Sequence, residues 1–470
     1  TSYVLANGEE VGAASTENIR TNTNATFLQN INVGVAITAG KLGIGFTDSN
    51  VKIGNTALDS QTTGDSNTAV GHNALTANTT GSYNTAVGRE SLESNTTASD
   101  NTAIGFRALE ANTTGADNVA VGSGALDVNT TGHSNVAVGH DSLDANTTGN
   151  ENVGLGMKAL TSNTTGEDNT AVGAYALNAN TTANNNTAVG YNSLLNNSTG
   201  VANVAVGAIS LDANTTGQYN TAIGYESLSA NTTADENTAL GSFALRYNTT
   251  GGNNTAAGYK ALEDNTTASN NTAFGFEALN ANTTGFNQTA VGSGALAANT
   301  TSNSNTAVGK DSMNANTTGG ANTAIGANSL KANTTADYNT AIGESALLVN
   351  TTGHSNTAVG AQALDANTTA NQNTAVGYLT LSANTTGYQN VAVGANALQA
   401  NTDGLVNTAI GAEALDANTT GDKNVAIGKG ALSGNTTADS NVAIGWDAML
   451  ANTTGSENTA VGAQALIKTV

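Results

Sequence analysis

The sequence predicts a mainly β protein: a parallel β-solenoid, β-roll-like, built of 17-residue coils. Three observations carry this expectation. The stretch from Asn67 to Tyr83 recurs from Asn84, from Asn101 and onward to Asn458, making 24 copies without an insertion or deletion. A unit this short cannot bury a core alone and must stack on its neighbours. Hydrophobic content is 38%, much of it alanine, and aromatics are only 4%, which suits a thin stacked core rather than a globular centre. There is no proline, as expected of a ladder that needs every backbone N–H.

We number each unit 1 to 17 from its opening Asn, which only Gln288 replaces. Positions 1 to 5 read as a short strand. Position 2 is Thr or Val, position 3 is Ala in every copy but one (Gly154), position 4 is apolar, and position 5 is always Gly. Such residues suit a pleated surface, and Gly punctuates its end. Positions 2 and 4 project one way and 1, 3 and 5 the other, and both sides are restricted. Both faces are therefore expected to be covered, one by the coil interior and the other by a second chain.

Positions 5 to 12 read as helical. The near-fixed positions 5, 8, 9 and 12 match the i, i+3, i+4, i+7 stripe of one helix face, while position 7 varies freely. Asn at position 12 ends the helical turn, and Thr-Thr-Gly makes a tight return. Each coil is thus expected to be a short strand, a short helical turn and a tight return. Leu75, Leu92 and Leu109 at position 9 should form an inward apolar spine. Asn78, Asn95 and Asn112 at position 12 should form a hydrogen-bonded structural ladder, since a buried amide needs partners. Stacking at about 4.8 Å per coil gives a rod of roughly 115 Å.

Length alone would suggest several domains, but the unbroken period argues for one array. Residues 50–470 form the solenoid, with 50–66 a degenerate first repeat that has Lys52 at the Ala position and Gln61 at the Asn position. Residues 1–49 differ. Ile31, Val33, Val35 and Ile37 alternate with Asn32, Gly34, Ala36 and Thr38, a strand pattern, so this segment is expected to be a cap or an assembly element. The last copy runs out at Leu466, Ile467 and Val470 with no polar cap, which predicts that further chain or another molecule covers it. A start at Thr1 rather than Met is expected if a leader was removed.

The motif Asn-Thr-Ala-Val/Ile-Gly-x-x-Ala, as in Asn67 to Ala74, resembles the head repeats of trimeric autotransporter adhesins. The whole unit with Asn-Thr-Thr-Gly, together with Leu42-Gly43-Ile44-Gly45, resembles repeats of phage tail-fibre-type proteins. The resemblance covers residues 32 to 470. It implies a parallel β-roll in a fibrous surface protein, trimeric in the adhesins, and no catalytic residue within the repeats.

Chemistry-bearing residues give little. His72, His133, His140 and His354 fall on variable positions 6 or 16, as surface histidines do. Gly-x-x-Ala lacks the GK[ST] signature of a phosphate loop. With no cysteine there is neither a disulfide nor a thiolate site. The calcium β-roll signature is absent, so no metal and no cofactor are expected. Thr rows at positions 2, 13 and 14 suit strands and turns, with ice binding as a remote alternative. Asn-Thr-Thr is a glycosylation sequon in almost every copy, set against the reading of a helix-ending Asn before a turn. A net charge of −22 with 13 basic residues disfavours nucleic acid and anionic membranes. No apolar run long enough for membrane insertion is present. The expected function is a non-enzymatic extracellular structural fibre or filament subunit that self-assembles through stacked solenoid ends. The alternative is a receptor- or glycan-binding adhesin or tail-fibre shaft, at a cell surface or on a virion.

Overall fold

The computed structural model describes residues 3–4, 10–11 and 49–468. The chain divides into two compact units, Thr1–Phe46 and Thr47–Val470. In the first, Tyr3–Val4 pairs antiparallel with Glu10–Val11. The strand pattern at Ile31, Val33, Val35 and Ile37 lies outside the described residues, as does Val470.

The second unit is a parallel β-solenoid. Three-residue strands run from Val51–Ile53 through Thr68–Val70 and Thr85–Val87 to Thr459–Val461, one per coil. Each residue pairs with its equivalent one coil on: Thr68 faces Thr85, Ala69 faces Ala86 and Val70 faces Val87. The degenerate first repeat joins the same ladder, Val51–Ile53 pairing with Thr68–Val70.

The interior is narrow. Ala69 from the strand, Ala74 and Leu75 from the corner, and Asn67 and Asn78 are all fully buried, and the same five positions recur inward along the array. The cross-section explains the choice of Ala at position 3: the Leu of position 9 fills the space opposite. Gly at position 5 is fixed by crowding. Gly71 has φ +140°, and a Cβ there would lie 2.3 Å from the Gly88 carbonyl oxygen of the next coil.

The segment read as a helical turn is not a helix. Among the described residues no helix occurs, and positions 7 and 9 hold left-handed backbone, as at Asn73 (φ 59°) and Leu75 (φ 51°), or Arg107 (φ 58°) and Leu109 (φ 54°). Left-handed residues at positions 7 and 9 interrupt helical winding and leave a corner of successive turns. The physical reason is spacing. An α-helix is about 10 Å across with its side chains, whereas the coils repeat every ~4.8 Å, so helices could not stack in register. The corner instead sends its N–H groups along the rod. Glu90 N–H donates to His72 O of the preceding coil (2.9 Å), while Leu92 and Ser94 donate to Ala108 O (3.0 Å) and Glu110 O (2.9 Å) of the next. Only short i→i−3 bonds stay within a coil, such as Asn78 N–H to Leu75 O (3.2 Å).

Two rows of Asn close each coil. Asn84 at position 1 donates through Nδ2 to its own coil's Ala98 carbonyl (2.9 Å), and its N–H donates to Asn67 Oδ1 of the preceding coil (2.9 Å). Asn95 at position 12 donates to the same Ala98 carbonyl (3.0 Å) and to Asn78 Oδ1 one coil back (2.8 Å); Asn112 continues that ladder to Asn95 Oδ1 (3.0 Å). Both amide protons of Asn95 are thus used, which is how a fully buried amide avoids a desolvation penalty of about 1–3 kcal/mol. Gln288 keeps the pattern with one more methylene: its N–H reaches Asn271 Oδ1 (2.9 Å) and its Oε1 accepts from Asn305 N–H (3.1 Å).

The left-handed backbone is strained for any residue with a Cβ, by roughly 1–2 kcal/mol. At position 9 the buried Leu offsets that strain; at position 7 the side chain is mostly half-buried, and at Gln362 it is exposed and offsets little. Gln362 and Leu364 have nearly equal φ, 56° and 52°. Gln362→Gly is expected to raise stability by about 0.5–1 kcal/mol. Leu364→Gly, which empties a fully buried site, is expected to lower it by about 2–4 kcal/mol. Equilibrium unfolding of both variants checks this opposition of sign.

Candidate functional site: the outward strand face

Positions 2 and 4 of every strand point out of the solenoid, because position 3 points in. From Val51 to Val461 neither position carries a charged residue. Position 2 is half-buried in nearly every coil. Position 4 is apolar throughout and partly open to solvent: Ile104, Ile223, Leu240, Phe274 and Ile325 are 39–43% exposed. The stacking aligns these side chains into one apolar strip along the array. A chain of net charge −22 therefore keeps its charge off this face.

Aromatic residues cluster at the corner that follows the strand in four successive coils. Tyr225, Tyr259 and Phe276 at position 6 are exposed. Phe243 at position 7 packs edge-on between Tyr225 (5.4 Å) and Tyr259 (5.8 Å), and Tyr259 stacks on Phe276 at 5.6 Å. Arg246 lies 4.9 Å from the Phe243 ring centre and ion-pairs with Glu226.

The carboxylates lie elsewhere, mostly at positions 7, 10, 16 and 17, and those at position 10 sit nearest the core. Glu90, Glu93 and Glu110 approach within 4.8 Å of one another, but each already has a partner: Arg89 pairs with Glu90 at 2.7 Å, Arg107 pairs with Glu110, and Glu93 accepts from Asn73 Nδ2 at 3.1 Å. Burial, and then a hydrogen bond with Glu110, pushes the neighbouring Asp127 carboxyl up to about 6, against the pull of Arg107 at 3.3 Å. Burial likewise raises Asp212 to about 6, and raises Asp144, Asp365 and Asp416. The Oδ1 atoms of Asp127, Asp365 and Asp416 have no hydrogen-bond partner. These are half-buried acids held between coils, a cost of repeating an acid-tolerant position beside the core.

His72, His133, His140 and His354 are all exposed. His133 and His354 each sit 3.3 Å from the hydroxyl of the following serine, and His140 is 3.0 Å from the Asp141 carboxylate. The sequon Asn side chains, as at Asn95 and Asn112, are fully buried, with both Nδ2 protons donated. A glycan on Nδ2 would remove a donor and could not fit, so the folded coil excludes it. At the last coil Leu466 is 47% exposed and Ile467 half-buried. Among the described residues no helix is long and apolar enough to cross a membrane. No protein-family model matches the chain, and no curated protein shows significant similarity to it.

A raised carboxyl pKa favours the protonated form in the fold. Its stabilising contribution is complete below the unfolded value near 4 and is lost as pH rises through about 6. Asp212→Asn should therefore unfold like the parent below about pH 4 and become the more stable of the two at higher pH, with the gap opening between about pH 4 and 6 and constant above. Melting curves across that range check the sign.

Proposed function

We propose that this chain is a non-enzymatic extracellular structural fibre or filament subunit that associates with copies of itself along the outward strand face. The observation that carries this reading is the uninterrupted, charge-free strip formed by the apolar row at position 4 and the Thr and Val row at position 2. Contiguous exposed apolar surface of this extent marks an interaction site, and depletion of charge is the mark of an interface core. A partner whose contacts recur at the same ~4.8 Å spacing matches the strip at every coil, and a second copy is such a partner. The likeness of the repeat to fibrous surface proteins supports the extracellular placement.

Two other readings keep a specific feature behind them. End-to-end stacking, with the segment carrying Ile31 to Ile37 of one copy covering Leu466 and Ile467 of another, rests on the alternating strand pattern of Ile31, Val33, Val35 and Ile37. A receptor- or glycan-binding shaft rests on the family likeness and on the exposed aromatics at position 6. The Thr row at position 2 carries the remote ice-binding alternative, which a freezing-point measurement separates from both.

Ile325→Lys with Ile342→Lys puts two charges on the strip without touching the core. Stability of the array should change by no more than about 1 kcal/mol, while self-association, read by sedimentation, should weaken at least tenfold. Deleting residues 1–46 should leave lateral association intact and would abolish growth only if the ends form the joint. A monomeric full chain at high concentration would rule out self-association by either route.

A further inference from the structure

The strip is nearly uniform, so copies sliding by one coil would lose little; register needs a landmark. One stands in adjacent strands. Among all position 4 residues from Val70 to Val461, Ala257 is the only Ala and Phe274 the only Phe, and the two pair directly across the ladder. A notch therefore lies beside a knob, Phe274 being 43% exposed. In the same coil and its neighbours, Phe276, Tyr259 and Tyr225 at position 6 are also exposed.

We infer that two copies pack strand face to strand face as an antiparallel pair, with a two-fold axis passing between Ala257 and Phe274, so that Phe274 of each copy enters the notch at the partner's Ala257. The inference rests on the reading of the strip as a self-association face and adds its geometry. A two-fold axis along the rod would set position 4 against the partner's position 2, Val or Ile on Thr. An axis along the strands sets position 4 on position 4 and makes a continuous apolar seam with the rods antiparallel. In that arrangement Leu240 meets the partner's Val291, and Ile223 the partner's Val308. Parallel packing in register would instead set Phe274 on the partner's Thr272 and Ala257 on the partner's Thr255, and would leave the knob without a notch. An isologous contact needs only one self-complementary patch, with residue i on j and j on i. The strip, about 10 Å wide and roughly 115 Å long, offers on the order of 1,000 Å² per copy, above the ~800 Å² per partner of a standard stable interface. Aromatic residues at its centre are where binding energy concentrates.

The chain has no cysteine, so placed cysteines report geometry directly. Thr238 and Thr289, half-buried at position 2, face each other across the proposed axis. Full-length chains carrying Thr238→Cys or Thr289→Cys should form a disulfide when the two are mixed and none when either is oxidised alone. Ala257→Phe or Phe274→Ala alone should weaken the dimer at least tenfold, and the two substitutions together should restore it to within about threefold, because the exchanged knob and notch still meet. Disulfides within each single-cysteine preparation would show in-register packing, such as a parallel trimer, and overturn the antiparallel pair while leaving self-association standing. A double variant no tighter than the singles would show that Phe274 covers Ala257 of its own chain, and would also overturn it. A monomeric parent chain would sink the self-association reading on which the pair rests.

Discussion

Every coil must pass its backbone hydrogen bonds to the coils above and below within a rise of about 4.8 Å, and the rest of the molecule follows from that constraint. The strand meets it in the ordinary way, with Thr68 to Val70 paired on Thr85 to Val87. The corner meets it with left-handed residues that turn N–H groups along the rod, as Glu90 and Leu92 do. The return meets it with Thr79, whose N–H and hydroxyl both donate to Thr96 O, at 2.8 and 3.0 Å. Where backbone alone leaves the circuit open, two Asn side chains meet at one carbonyl and close it. Glycine at position 5 is what remains when the next coil's carbonyl occupies the place of a Cβ.

Stacking of equivalent residues also turns each position into a row, and a row multiplies whatever one residue does. Inward, that yields an Ala row, a Leu row and two Asn ladders with their donors satisfied. Outward, it yields an apolar strip on one face and, at position 10, half-buried carboxylates whose protons are held above the usual range. The left-handed strain at positions 7, 9 and 17 is likewise incurred once per coil. It persists because stacking fixes the backbone and, at position 9, because the Leu is buried.

Much of this was legible in the sequence. The indel-free period dictated stacking, the Thr-Ala-Val-Gly run dictated a strand, and restriction on both its sides pointed to an outer face with a role of its own. The corner was not legible by periodicity. Positions 5, 8, 9 and 12 mimic a helix stripe, but 8 and 9 both face inward because the chain reverses hand around them. A signal for that was present at position 7: Gly124, Gly294 and Gly430 stand there, as do Asn73, Asp141, Asn192, Asp311 and Asn328, the residue types that tolerate left-handed backbone. Position 9 carries no such signal, because burial selects Leu against its backbone preference. The pairing of Ala257 with Phe274 needed the register and exposure of the folded strand before it could be recognised.

Amide hydrogen exchange on the intact array tests the axial-bonding account most directly. If corner N–H groups are bonded between coils, the amides of positions 7, 9 and 11 in interior coils should be as protected as those of the strands and open only with the array. Rapid exchange across positions 6 to 11, with protection confined to the three-residue strands, would show that the corners are ordinary surface turns and would contradict the account.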